Sequence, residues 1–408
     1  MGSSGARDRP AGRGVGDIFV TAADWASATC YVAAGFGCVY ALFAAWAARA
    51  FVRGQTAPAA SHPAITILKP LHGAEPDLYA NLAGFCAQSY CGPVQIVFGV
   101  SDPADPAIAV VRRLIADFPG RDLELVINSR RNGTNRKVSN LINMLPEARH
   151  DVLVISDSDI IVEPDYLERI AASLEQPGVG LVTCLYRGLP ATRGPAAGGV
   201  WAHLAASAID HHFLPSVLVG LKLGLAEPCF GSTIAIRAQT LEAVGGFEAI
   251  VDQLADDYAL GTLVRQTGLT VAIPTCTVAH ACTQRSPGEL FRHELRWART
   301  IRFVDAIGFT GSALTHALPL ALLGLLLDGL APAGVMAIAA LGCRFALQRQ
   351  VGRAFGLHDG PLWIGPFRDI LSFAVFVASF FGRRVEWRGH RYKVQTDNTL
   401  AYAAEVEP

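Results

Sequence analysis

Hydrophobic patterning divides the chain into three regimes. Residues 25–48 are apolar and uncharged, so a helix over 24–48 is long enough to cross a bilayer. Between 62 and 305 charged residues are frequent, and short apolar runs alternate with amphipathic stretches. From 309 to 382 the chain is largely apolar again, and 383–408 opens on a basic run. The first 16 residues, rich in Gly, Arg and Ser, read as a disordered tail.

Within the polar region, 65–68, 94–100, 123–128 and 152–155 read as strands, with helices expected at 76–88, 106–117 and 135–145. Alternation at this spacing predicts an α/β domain: a mixed, mainly parallel sheet flanked by helices. A further helix is expected over 258–266, and a basic amphipathic helix over 288–304 reads as interfacial. Stretches 309–327 and 331–347 pattern as a membrane hairpin, with Asp328 at the outer turn and Arg344, Arg349 and Arg353 inside. A third stretch, 362–382, contains Arg368 and Asp369 and is uninterrupted only over 370–382, so it is either a third span or a re-entrant segment. Arg49 and Arg53 after the first helix put 62–305 in the cytoplasm, and the basic residues from Arg383 to Lys393 do the same for 383–408.

Composition agrees with a membrane protein. The chain is 51% hydrophobic and 17% charged, with a mean hydropathy of +0.33, too apolar for an ordinary soluble protein. A net charge of −1 argues against a nucleic-acid partner. The nine cysteines form no C-x-x-C pair, which excludes the usual structural zinc and disulfide frameworks and fits a reducing compartment. The first apolar run is too long and too far from Met1 for a cleaved signal peptide.

Candidate chemistry centres on Asp157-Ser158-Asp159, which follows the apolar run 152–155. Open α/β sheets bind ligands at the carboxyl ends of their strands, and two carboxylates there suit Mg2+ or Mn2+. The plainer alternative is a solvated turn. No Gly-x-Gly-x-x-Gly and no P-loop is present, so a phosphorylated nucleotide needs a metal or another device to hold it. Asp102 ends the second strand in another carboxylate. Arg136 and Lys137 open a helix, where cations suit a diphosphate or form a solvated turn. Asp256 and Asp257 precede the 258–266 helix, either as reactive carboxylates or as a complement to its dipole. His293, Arg296 and Trp297 share the basic helix. His280 is either a further metal ligand or a structural histidine, and His211 with His212 reads as a polar patch on an insertion, 185–228.

Asp102, Asp157-Ser-Asp159, Asp256-Asp257 and His293-x-x-Arg296-Trp297, in this order between an anchor and a C-terminal membrane region, resemble the membrane-bound family 2-like and family 21 glycosyltransferases. The likeness includes Leu68-Lys-Pro-Leu71 and Trp387-Arg-Gly-His-Arg-Tyr-Lys-Val394. The chain is similar to ceramide glucosyltransferases. It is closer to bacterial hopanoid-biosynthesis-associated glycosyltransferases, through Asn135-Arg-Lys-Val-Ser-Asn-Leu-Ile142, Val182-Thr-Cys-Leu-Tyr-Arg187, Asp210-His-His-Phe-Leu-Pro215 and Pro228-Cys-Phe-Gly-Ser232.

The resemblance implies a GT-A fold, a UDP-sugar donor, a membrane-lipid hydroxyl as acceptor, and a bacterial inner-membrane enzyme whose catalytic domain faces the cytoplasm. Its hopanoid branch implies N-acetylglucosamine passed to a polyol such as bacteriohopanetetrol, and its ceramide branch implies glucose passed to ceramide. It also implies roles. Asp102 contacts the uridine. Asp157 and Asp159 serve metal and diphosphate, with Lys137 and His293 on the donor side. Asp257 is the general base, supported by Asp256. Arg296 and Trp297 hold the departing diphosphate and the acceptor's mouth. One base and no second nucleophile imply inversion. Ceramide enzymes can show Gly where this chain has Asp159, and processive synthases carry Gln where it has His293, which speaks against a polymer product. A non-catalytic nucleotide-sugar or lipid-binding protein is the contrasting expectation.

Overall fold

The longest apolar runs of the polar region become the centre of a seven-stranded sheet. The computed structural model describes residues 22–54, 59–191, 199–328, 331–357, 363–382, 384–387, 390–394 and 399–402, so the expected tail over 1–16 lies outside the described residues. The chain begins with α1 (Ala22–Val52), then alternates β1 (Ile65–Leu71), α2 (Leu78–Cys86), β2 (Val94–Val100), α3 (Ala107–Asp117), β3 (Asp122–Ile127), α4 (Arg136–Met144) and β4 (Val152–Ile155). The short β5 (Ile160–Ile161) leads to α5 (Tyr166–Leu174), β6 (Val179–Thr183) and β7 (Leu185–Pro190). After α6 (Gly199–Ala208) and α7 (Leu214–Leu223) come β8 (Ile234–Arg237), α8 (Ala238–Ala243), α9 (Asp256–Gln266), β9 (Thr270–Ala272) and β10 (Thr277–Cys282).

The sheet order is β3-β2-β1-β4-β8-β6-β9. β1 pairs in parallel with β2 and β4, β2 with β3, and β6 with β9, while β8 runs antiparallel between β4 and β6. Every residue of β1 and β4 is buried. Ile65, Ile67, Phe98 and Val154 pack on one face, with Phe85 of α2. Leu68, Val97, Leu153 and Ile155 pack on the other, with Val138 of α4. Each such side chain contributes about 1.5–3 kcal/mol by leaving water. β1 continues three residues past its expected end, because Lys69 there is fully buried rather than solvated. A second sheet, β5-β10-β7, stands at the carboxyl edge of β4.

The amphipathic helix α10 (Pro287–Val304) follows, its first turn closed by Ser286 Oγ, which accepts from Glu289 N at 3.2 Å, and by Glu289 Oε2, which accepts from Arg285 N at 2.9 Å. Then come α11 (Ala306–Gly311), α12 (Ala317–Asp328), α13 (Ala331–Phe355) and α14 (Ile364–Ser379). The single helix expected over 309–327 is broken: Ala306–Thr315 and Ala317–Leu327 meet at 64°. Ser312 Oγ donates to Phe309 O and Thr315 Oγ1 to Ser312 O, so hydroxyls compete for the carbonyls that would continue the helix.

Among the described residues two helices, Ala22–Val52 and Gly199–Leu223, are long and apolar enough to cross a membrane, and the bent pair makes a third if it is one span. α1 packs along α7, α12 and α13. Its approach is close at Gly37, where a Cβ would meet Leu314 O at 2.6 Å. Its outer face exposes Val32, Phe36, Val39, Leu42 and Trp46. The described chain ends in a small sheet of β11 (Arg384–Trp387), β12 (His390–Val394) and β13 (Leu400–Tyr402). Just before β13, Thr399 forms an isolated antiparallel bridge with Gln253.

Candidate active site

The loop after β4, the N-terminus of α4 and the N-terminus of α9 bring three carboxylates around one ammonium. Lys137 Nζ lies 2.9 Å from Asp157 Oδ1 and 3.2 Å from Asp256 Oδ2. Asn135 caps α4, its Oδ1 accepting from Lys137 N and Val138 N, while its Nδ2 donates to Asp256 Oδ1 at 3.2 Å. One amide side chain therefore ties the two helix starts together. Burial alone would push the Lys137 ammonium down, but Asp157, Asp256 and Asp257 outweigh it and hold the group well above the usual lysine range.

Asp257 is the most constrained of the three. Its Oδ2 accepts from Gly231 N at 2.7 Å and its Oδ1 from Tyr258 N at 2.8 Å. Burial, then the charge of Asp256, push its carboxyl up to about 6, against the opposing pull of Lys137. Gly231 makes this packing possible. A Cβ on it would lie 2.8 Å from Lys137 Nζ and 3.0 Å from Asp157 Oδ2.

Asp159, two residues on, faces His280 of β10, with Oδ2 3.2 Å from Nε2. Burial would depress that imidazole, but the Asp159 carboxylate more than offsets it and raises the group well above the usual histidine range. Beneath the loop, Lys69 is fully buried and donates to Asp157 O at 2.5 Å, its ammonium 3.8 Å from the centre of the Phe85 ring. Burial pulls Lys69 down to about 7 despite the nearby Asp157, Asp159 and Glu75.

Aromatic side chains wall the opposite side. Tyr186 of β7 stacks on Phe213 at 4.6 Å and meets Phe230 edge-on at 5.7 Å. Trp297 of α10 lies 6.3 Å from Tyr186, 5.6 Å from His280 and 4.5 Å from His293. Burial, with Arg296 and His280 nearby, depresses the His293 imidazole to about 3, so this ring is neutral. The Tyr186 phenol lies within the electrostatic reach of Asp257, Asp159, Asp157 and Arg296. Wall and carboxylates thus border one space.

The expected site residues divide accordingly. Lys137, Asp157, Asp256 and Asp257 converge directly, Asp159 joins through His280, and His293 and Trp297 complete the wall. Asp102 stands apart at the end of β2, exposed, its Oδ1 accepting from Ala104 N at 2.9 Å. Two plain readings need correction. Lys137 is no member of a solvated turn but the buried counter-ion of the carboxylates. The polar patch expected at His211 and His212 is instead tied into the structure, with Ser207 Oγ 3.2 Å from His211 Nδ1. Asp210 is buried and accepts from Gly188 N at 2.7 Å, and His212 faces Asp369 of α14 at 3.0 Å. Sequence reasoning missed Gly231, Tyr186 and Lys69 as site residues. The pair Arg368–Glu294, which fastens α10 to α14 with contacts of 2.6 and 2.5 Å, was also missed.

Among the described residues no three His, Cys, Asp or Glu side chains form a ready-made metal cage. Mg2+ and Mn2+ need none, because one or two carboxylates with phosphate oxygens and water suffice. Asp157 and Asp159 fit that requirement, with side chains 38% and 36% exposed at the sheet edge. Three carboxylates around one ammonium also leave the cluster short of positive charge.

A family model, Glycosyl transferase family 21, matches residues 29–400. The chain belongs to glycosyl transferase family 21. This family 21 chain is a sugar transferase, as the motifs led us to expect. It is 24% identical over 357 residues to ceramide glucosyltransferase 1 of Caenorhabditis elegans, covering 81% of this chain and 72% of that one. It is 31% identical over 121 residues to the ceramide glucosyltransferase of Candida albicans, covering 27% of this chain and 22% of that one. A solved mannosyltransferase from Pyrobaculum calidifontis, in complex with GDP-Man and Mn2+, matches with a TM-score of 0.51 and 22% identity, over 87% of this chain and 99% of that one. That likeness shows the fold, the GT-A arrangement expected from the motifs.

Proposed function

We propose that this glycosyltransferase moves a sugar, with inversion, from a UDP-sugar to the hydroxyl of a membrane lipid. The observation that carries this reading is Asp257, a carboxylate fixed by two backbone N–H groups, pushed up to about 6, and facing an aromatic wall. Such a group is ionised at neutral pH yet basic enough to take the acceptor's proton, which contributes roughly 10²–10⁴-fold. Asp256 supports it by holding Lys137. Asp157 and Asp159 would hold Mg2+ or Mn2+, which would supply positive charge to the departing diphosphate. Lys137 and Arg296 set fixed cations against the same developing charge, with His293 beside them on the donor side. Asp102, at the edge of β2, takes the uridine. Trp297, Tyr186 and Phe213 exclude water and receive the acceptor. One base and one displacement turn an α-linked donor into a β-linked product.

The acceptor we infer is a hopanoid polyol such as bacteriohopanetetrol, receiving N-acetylglucosamine. Its support is the run of short sequence phrases from Asn135 to Ser232. The ceramide glucosyltransferase relatives favour a second acceptor, ceramide with UDP-glucose. Arg49, Arg53 and the basic residues after 383 support a membrane protein with its catalytic unit in the cytoplasm, and the hopanoid reading favours a bacterial inner membrane.

The test is lipid mass spectrometry on purified membranes given UDP-glucose or UDP-N-acetylglucosamine with ceramide or bacteriohopanetetrol, beside an Asp257→Asn control. An N-acetylhexosaminyl hopanoid absent from the control supports the first acceptor, and a hexosylceramide supports the second. No glycolipid from any pairing overturns the lipid reading.

A further inference from the structure

Four polar side chains from four elements meet where the largely apolar helices α12, α13 and α14 pass the turn between α6 and α7. Arg344 of α13 and Asp369 of α14 approach at 2.8 Å, their side chains 10% and 7% exposed. His212, in the π turn Ile209–Phe213 between α6 and α7, sets its Nε2 3.0 Å from Asp369 Oδ1 and against the Arg344 guanidinium. His316, at the break between α11 and α12, lies with its ring 6.4 Å from that of His212. Polar groups inside a membrane region are costly, and they mark ligand sites more often than stability.

The hydrogen-bonding capacity of this cluster is not used up by its members. His316 is 8% exposed, and its Nδ1 has no hydrogen-bond partner in the protein. Arg344 Nε and Asp369 Oδ1 are close, but neither completes an aligned hydrogen bond. Buried polar atoms left this way call for a ligand or ordered water. The surrounding geometry is also of the kind used for binding, since broken helices and π turns both concentrate at functional sites.

The cluster adjoins the reaction space. Phe213, the neighbour of His212 in the same π turn, stacks at 4.6 Å on Tyr186 of the aromatic wall. Arg344 and Asp369 cancel in charge. What remains is two imidazoles and the spare lone pairs of a paired carboxylate, which suit neutral hydroxyls and not a phosphate.

We propose that His316, with His212, Arg344 and Asp369, forms a membrane-embedded subsite that binds a second, non-reacting hydroxyl of the lipid acceptor. This rests on the lipid-acceptor reading above and adds to it a specificity determinant that the carboxylate cluster does not supply.

The test uses the full chain in detergent, with affinity read from the concentration dependence of thermal stabilisation. Bacteriohopanetetrol and ceramide are each compared with a counterpart that keeps the reacting hydroxyl alone. Each variant is referred to its own ligand-free midpoint. His316→Phe keeps a ring and an apolar surface, while His316→Gln restores an acceptor. One of the two multi-hydroxyl lipids should bind wild type about tenfold more tightly than His316→Phe, as expected for one lost buried hydrogen bond. His316→Gln should recover part of that, and the one-hydroxyl counterpart should bind all three alike. Equal affinity of His316→Phe and wild type for the multi-hydroxyl lipids, or stabilisation by neither, overturns the subsite. Stabilisation that follows the expected pattern without any sugar transfer would sustain the subsite and refute the acceptor reading.

Discussion

Removing the carboxylate of Glu294 should destabilise the protein by about 3 kcal/mol although this residue touches none of the reacting groups. Arg368, 1% exposed, gives Glu294 two parallel contacts, Nη1 to Oε1 at 2.6 Å and Nη2 to Oε2 at 2.5 Å. Two of its other donors go to Ser372 Oγ at 3.0 Å and Leu204 O at 3.3 Å. Two charge centres about 4 Å apart interact by about 4 kcal/mol at an effective dielectric constant near 20. Removing one partner strands a buried guanidinium, at a measured cost of about 3–5 kcal/mol in comparable pairs. Glu294→Gln keeps one acceptor oxygen, so the lower end of that range applies. The assay is thermal or denaturant unfolding of the detergent-solubilised chain in a double-mutant cycle of Glu294→Gln, Arg368→Met and both. Each single change should destabilise, while the double should cost about 2–3 kcal/mol less than the sum of the two singles. Because His293, Arg296 and Trp297 share the helix that this pair anchors, kcat/KM should fall in the singles as well. Strict additivity across the cycle would refute the reasoning.

Further outcomes are expected at the carboxylate cluster. Asp257→Asn should lower kcat by roughly 10²–10⁴-fold with little change in donor KM, and a loss under tenfold in steady-state assays would remove Asp257 from the role of base. With Asp257 pushed up to about 6, kcat/KM should rise tenfold per pH unit below about 6 and level off above it. The same raised carboxyl favours the protonated folded state. Its stabilisation is therefore complete below the usual carboxylate range and lost as pH climbs through about 6, so unfolding midpoints at pH 5 and 7 should differ less in Asp257→Asn than in wild type. Gly231→Ala should fold normally yet lose activity by more than tenfold, because its new methyl meets Lys137 and Asp157; circular dichroism beside kinetics checks both halves. Chelation of divalent cations should abolish transfer and added Mn2+ or Mg2+ should restore it, whereas full activity in excess EDTA would exclude the role given to Asp157 and Asp159.

Much of the sheet is legible in the sequence because β1, β2 and β4 are buried on both faces, and continuous apolar runs such as Val152–Ile155 have few other uses. The acidic residues of the site are legible for a related reason, since they stand where those runs stop. Lys69 is not, because a lysine in an apolar run looks like the end of a strand unless the Asp157 carbonyl beneath it is known. The helix Gly199–Leu223 escapes notice because Asp210, His211 and His212 interrupt it, and their partners Gly188, Ser207, Arg344 and Asp369 lie as many as 157 residues away. Gly231 is visible only as a space that other side chains fill.

The bridge between Gln253 and Thr399 has a topological consequence. Gln253 is three residues before Asp256, in the domain that the chain leaves after Val304. Thr399 comes after every helix of the C-terminal region. A backbone pair cannot form across a bilayer, so the chain must come back to the side from which it set out. If segments between 306 and 382 cross a membrane, their number is therefore even.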